Sequence, residues 1–270
     1  MSDRRHAIHL LGGLMVLPAT RLPAATARSS APDDVQQILA ACDAIRNPAT
    51  PFSTQINVTE YRNRRVEEEG RIIVLAQPDR RVGQYDSLVR IVQPSRDRGK
   101  MMLKTAEGNE VWFYDPASKS GMRISLQQRL LGQAANGDVV SVNLAGAYQG
   151  TVAATETIRD GDRQPRECLR LQLSSDSRAV TYPSLRYWVD RVSKRPVKAE
   201  FYADSGRLLK TAYYRRYRQT LGAERPTEVV ILDAISSNLV TVLRYSAFKA
   251  DSIPGGWFTR EGLPSIPAIS

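Results

Sequence analysis

Apolar and polar residues alternate with period two through most of this 270-residue chain, which confines the fold to something built on strands. The run from Glu167 to Leu173 sets Leu169, Leu171 and Leu173 on one side and Cys168, Arg170 and Gln172 on the other. Ile56 and Val58 alternate in the same way with Gln55, Asn57 and Thr59. Further strands are predicted at 70–75, 87–92, 100–104 and 109–114, with a short one ending near Ser125. Others follow at 185–189, 197–203, 207–214, 227–232 and 239–245. Turns join them: Pro94 to Gly99, Asp115-Pro116, Ser120-Gly121, and Asp204-Ser205-Gly206, a hairpin loop whose glycine suits a left-handed conformation. Strands joined this tightly pair antiparallel, because a parallel pair needs a crossover of about a dozen residues. About ten or eleven strands in one sheet predict that it curls into a barrel or folds over.

Two segments interrupt the pattern. Asp33 and Asp34 precede Val35, Ile38, Leu39, Cys42 and Ile45 at helical spacing, and Asn47-Pro48 ends the run, so an N-terminal helix is expected. Leu126 to Ala135 carries Leu126, Leu130 and Leu131, with Asn136-Gly137 as a stop, and predicts a short second helix. An irregular stretch to about Gly150 follows, of the kind that crosses or covers a sheet. Some strands are apolar on both faces: Ile72 and Val74 beside Ile73 and Leu75, and Val229 and Ile231 beside Val230 and Leu232. Each face then needs cover. Two arrangements supply it, a barrel filled by its own side chains or a half-open barrel with an apolar cavity under a helical lid.

Residues 1–27 read as a cleavable signal peptide, and 28–270 as a single domain. Arg4 and Arg5 give a positive start, Ala7 to Ala19 is mostly apolar, and Ala25-Thr26-Ala27 offers a small-x-small cleavage site. The apolar run is shorter than the roughly 20 residues that span a bilayer. The paired arginines leave general and twin-arginine export both open. Both histidines, His6 and His9, lie in this leader, so the exported chain has no imidazole for Ser-His-Asp or Cys-His catalysis or for a histidine metal site. No acidic pair has a spacing that suggests carboxylate hydrolysis. A protein that is not an enzyme is expected, with no cofactor and no metal. Cleavage removes three arginines and one aspartate from a net charge of +10 and leaves +8, which suits an anionic membrane face or an acidic ligand.

Several runs, in order, resemble one family. Pro94-Ser95-Arg96-Asp97-Arg98-Gly99-Lys100 leads into the strand Met101 to Lys104. Val111-Trp112-Phe113-Tyr114-Asp115-Pro116 is followed by Met122-Arg123-Ile124-Ser125. Tyr187-Trp188-Val189-Asp190 precedes Arg195-Pro196-Val197-Lys198-Ala199-Glu200-Phe201-Tyr202 and Ser205-Gly206-Arg207-Leu208, and the chain closes on Trp257 to Leu263. Over roughly 53–263 this order is similar to that of LolA/LolB-like outer membrane lipoprotein-sorting proteins. The resemblance implies a mainly β fold, a half-open antiparallel β-barrel closed by helices around a hydrophobic cavity, in the periplasm. It also implies a carrier for acyl chains of a lipoprotein, lipid or other hydrophobic cargo, with an inner-membrane exporter as a natural partner. The alternative is an RseB-like sensing or protein-binding module that transports nothing.

Candidate residues follow. Leu126, Leu130 and Leu131 are either a lid or a helix packed on the barrel. Leu185, Tyr187 and Val189 share a strand face, as do Val197, Ala199 and Phe201, and these form either the cavity wall or ordinary core. Trp112 and Trp188 could stack on a ligand or simply pack. Tyr213 to Arg218 mixes aromatic and basic residues, but in an exported chain it reads as a solvated strand face or a contact for anionic head groups, with no nucleic acid. Cys42 and Cys168 could form a disulfide in an oxidising compartment.

Overall fold

The computed structural model describes residues 34–108 and 110–268; the signal peptide read at 1–27 and Asp33 lie outside them. Helix α1 (Val35–Arg46) forms as expected. Asp34 caps it by accepting from the Gln36 amide at 2.9 Å. Val35, Ile38, Leu39 and Cys42 fall on one stripe and are buried. At its end the Asn47 amide donates to Asp43 O at 2.7 Å, in extended conformation ahead of Pro48.

The strands are β1 (Phe52–Arg62), β2 (Arg65–Asp79), β3 (Gln84–Gln93), β4 (Met101–Lys104), β5 (Val111–Asp115) and β6 (Ser120–Ile124). A small ribbon, β7 (Arg129–Leu131) and β8 (Ala134–Ala135), precedes a single helical turn, α2 (Asn136–Val139). Then come β9 (Gln149–Arg159), β10 (Pro165–Ser174), β11 (Ser184–Asp190), β12 (Pro196–Tyr202), β13 (Leu208–Thr220), β14 (Ala223–Asp233) and β15 (Leu239–Ala250). Thirteen of them make one antiparallel sheet in the order β6-β5-β4-β3-β2-β1-β15-β14-β13-β12-β11-β10-β9. That is more than ten or eleven strands, and the sheet stays open between β6 and β9 instead of closing as a barrel. The unexpected strand is β9: it is an edge rich in Ala and Thr, with alternate residues exposed along its length, so its sequence carries little apolar alternation.

The sheet is strongly curved. Val74 of β2 and Tyr187 of β11 stand on one cavity, although six strand-to-strand steps separate their strands. Laid flat at about 4.8 Å per step, those strands would lie roughly 29 Å apart. The concave face holds two apolar clusters. One gathers Ile56, Val58, Ile72, Val74, Val229, Ile231 and Leu243 with Leu126, Leu131 and Val139. The other packs α1 and the leucines of β10 with Leu185, Tyr187, Val189 and Ala199.

Of the two strands that are apolar on both faces, β2 has partners on each side. Leu75, Leu88, Met101, Leu103 and Tyr114 point away from the concave side and are covered by Ile253, Phe258, Leu263 and Ile266 of the C-terminal segment. On β14 only the inner face is covered, since Val229 and Ile231 are buried while Leu232 remains 36% exposed.

The helix expected at 126–135 does not form. Gly132 sits at φ +55° in the turn of the β7–β8 ribbon, a conformation an α-helix cannot contain and glycine adopts readily. The Gln133 amide donates to Thr241 Oγ1 at 2.8 Å. A β-carbon on Gly132 would lie 2.7 Å from that same oxygen, so the ribbon sits directly on β15.

Candidate functional site

The concave face is roofed by the segment that crosses from α2 to β9. Between roof and sheet lies a cavity with an open mouth. Its walls come from α1, from β1 and β2, from β11 to β15, and from Thr181 and Tyr182 before β11. Ile56, Val74, Val229, Ile231 and Leu243 make one wall apolar. Sites with such a lining, apolar with a few polar groups, hold small apolar or amphiphilic molecules.

Hydrogen bonds pin the roof. Asn47 Nδ2 donates to Val142 O at 2.9 Å and to Asn143 Oδ1 at 3.0 Å. Asn143 N donates to Gln84 Oε1 at 3.1 Å, and Gln84 Nε2 returns a bond to Asn143 O at 2.8 Å. The Ala145 amide donates to Asp43 Oδ2 at 2.8 Å. Burial pushes the Asp43 carboxyl up, against the lowering effect of the Arg46 charge and of the Ala145 and Leu144 amides. At the α2 end, Lys210 of β13 pairs with Asp138, which also accepts from Tyr182 Oη at 3.0 Å. Tyr148 Oη donates to Tyr182 O at 2.8 Å.

The charged and phenolic groups that line the cavity are Arg46, Asp138, Tyr148, Tyr182, Tyr187, Tyr214 and Tyr245. Burial works against the Arg46 charge, while the Asp43 carboxylate favours it. Burial likewise raises the Tyr148, Tyr187, Tyr214 and Tyr245 phenols, so they stay protonated donors at neutral pH.

Of the residues proposed from sequence, Leu185, Tyr187 and Phe201 line the cavity. Val189 and Ala199 are on the same concave face but buried within its core cluster. Leu126 and Leu131 are buried in the neighbouring cluster and Leu130 packs half-buried against it, in a ribbon and turn instead of a lid helix. Val197 points to the opposite face, against Cys168 and Trp188. The register between β11 and β12 slips between Trp188 and Val189, and the bulge turns Val197 outward although its number has the parity of Ala199 and Phe201. Trp188 is likewise outside, its Nε1 donating to Glu156 Oε1 at 2.6 Å, and Trp112 packs beside the C-terminal cover. Neither tryptophan reaches the cavity.

Cys42 and Cys168 are free thiols. Cys42 packs with the leucines of β10, and Cys168 faces away from those leucines, so the sheet lies between the two sulfurs. Burial pushes each thiol up to about 12. Arg215 and Arg216 both pair with the buried Glu228, as does Arg244, so this basic run is largely an ion-paired strand face. Among the described residues no cluster of His, Cys, Asp and Glu could hold a metal ion.

The site residue most hidden in sequence was Arg46. It follows Cys42 by four and Leu39 by seven, which puts a cation on the apolar stripe of α1. That misplaced charge was the available signal.

A curved open sheet with a roofed cavity defines a mainly β domain. The chain belongs to the LolA superfamily. It is similar to the crystal structure of a LolA superfamily protein from Nitrosomonas europaea, with 35% identity and a TM-score of 0.73, covering 84% of this chain and 97% of that one. A domain assigned to outer membrane lipoprotein sorting from Vibrio parahaemolyticus shares the fold at 18% identity and a TM-score of 0.68, covering 85% of this chain and 97% of the other. A DUF1329 family protein from Desulfovibrio piger does so at 17% identity and a TM-score of 0.70, covering 84% and 97%. A family model described as an uncharacterized protein matches residues 83–265. No curated protein matches.

Proposed function

We propose that this protein is a periplasmic carrier that holds the acyl chain of a lipid, lipoprotein or other hydrophobic cargo and passes it towards the outer membrane. The observation that carries the reading is the cavity: an apolar wall on the concave face, roofed by a crossing segment and open at a mouth. Binding would be driven by burial of the chain, at about 0.8 kcal/mol per methylene. A long chain would enter by the mouth, under a roof that side-chain bonds hold to Asn47 and β3. No bond of the cargo is made or broken in this reading, and no cofactor takes part. An inner-membrane exporter would deliver the cargo, and the positive charge of the chain would favour contact with an anionic membrane surface.

The test is native mass spectrometry with lipid extraction, on protein purified from periplasm without detergent. A stoichiometric acyl-bearing ligand is the expected result. A bare protein mass, together with no uptake of added phospholipid or fatty-acyl probe, would overturn the carrier.

A further inference from the structure

The cavity is not purely apolar. Arg46 lines it with 19% of its side-chain surface accessible, and its protein contacts are weak. Nη1 is 3.4 Å from Asp43 Oδ1 and 3.5 Å from Val142 O, at the outer limit of hydrogen bonding. A guanidinium carries five N–H donors. Among the described residues Nε and Nη2 have no acceptor. The Asp43 carboxylate, the nearest source of neutralising charge, is itself engaged by the Ala145 amide.

A second group points to the same conclusion independently. Tyr187 is 1% exposed and lines the cavity, and apart from a long contact with the Tyr214 hydroxyl its own hydroxyl has no hydrogen-bond partner. A buried hydroxyl left without a partner is unfavourable. Its ring meets Tyr214 edge-on at 6.1 Å between centroids, and Tyr214 and Tyr245 line the same cavity. The other charged group of the lining, Asp138, is already matched by Lys210.

These donors call for acceptor atoms with negative charge. We infer that Arg46, with Tyr187 beside it, is the head-group site for an oxyanion-bearing amphiphile, a carboxylate or phosphate at the end of a single alkyl chain. The chain would lie along Ile56, Val74, Val229, Ile231 and Leu243. A neutral ester or alcohol offers weaker acceptors and leaves the guanidinium unmatched. This rests on the carrier reading and narrows its cargo to an anionic class.

The experiment measures binding of hexadecanoate, hexadecyl phosphate and hexadecanol to the full exported chain by equilibrium dialysis, below the micellar concentration of each. The expected result is a preference of about tenfold or more for an anionic probe over the alcohol. Arg46→Met should bring that ratio close to one, through loss of affinity for the anionic probes. Tyr187→Phe should reduce the ratio several-fold, and it remains a test if Arg46→Met does not fold. Tighter phosphate binding would assign a phospholipid-type head and tighter carboxylate binding a free fatty acid; either supports the site. Equal affinity for all three probes, or a ratio unchanged in both variants, overturns the anion site and leaves the carrier standing. Failure to bind any probe overturns both.

Discussion

Lys210, which is buried, reaches from β13 across the concave face to Asp138 at the start of the roof, whose side chain is 9% exposed. The ammonium also lies 4.8 Å from the centre of the Tyr182 ring, while Asp138 accepts from Tyr182 Oη at 3.0 Å and from the Ala135 amide at 2.7 Å. Removing one partner leaves the other as an uncompensated buried charge. Lys210→Met should therefore cost about 3 kcal/mol in urea unfolding. In a double-mutant cycle with Asp138→Asn, a coupling near zero would show that the pair does not hold the roof.

Gly137 makes a tighter demand. A β-carbon there would lie 1.7 Å from Thr181 Oγ1, so the roof touches the approach to β11 through bare backbone. Gly137→Ala should cost about 1–3 kcal/mol through overpacking, and Thr181→Gly should recover most of it in the double variant. Additive losses in chemical denaturation would refute a direct clash.

The two thiols give a pH signature. Both are pushed up to about 12 in the folded chain, from an ordinary value of 9.0. Between those values the unfolded chain releases thiol protons that the folded chain keeps, so stability is complete below pH 9 and falls as pH rises above it. At pH 10 the loss should be about 1 kcal/mol per thiol, with raised tyrosines adding to it at higher pH. Neither cysteine should be alkylated by iodoacetamide in native protein at pH 8, and both should react in urea. Rapid native labelling of either would contradict the burial.

Ala212 is buried at the cavity surface on β13, opposite an empty volume. Ala212→Trp should occupy that volume, leave the circular dichroism spectrum unchanged and abolish co-purifying ligand. Undiminished ligand by native mass spectrometry would place the cargo elsewhere.

How much of this was legible depends on how each residue meets the sheet. The leucines of β10 announced themselves because a strand with one buried face must alternate, and Leu169, Leu171 and Leu173 are all buried together. The edge strand β9 has no buried face to write into its sequence, so it read as nothing. Val197 was placed on the wrong side by a bulge, which shifts parity without any change in residue type. Leu126, Leu130 and Leu131 carried a spacing that a helix and a turn followed by a ribbon both satisfy, and Gly132 decided between them. The cavity itself belongs to curvature, which no local pattern encodes. Family order conveyed that shape, while Arg46 was visible only as a charge out of place on an apolar stripe.

The first strand of the sheet pairs with the last. β1 lies between β2 and β15, from Phe52 against Ala250 to Arg62 against Leu239. Contacts this distant along the chain close slowly, and their edges stay open to aggregation meanwhile. Because β15 supplies Leu243, Tyr245 and Phe248 to the cavity, the binding site comes into being only when the C-terminal part of the chain has arrived. On the carrier reading, cargo can therefore be loaded only once the whole polypeptide has folded, and no N-terminal part of the chain can hold it alone.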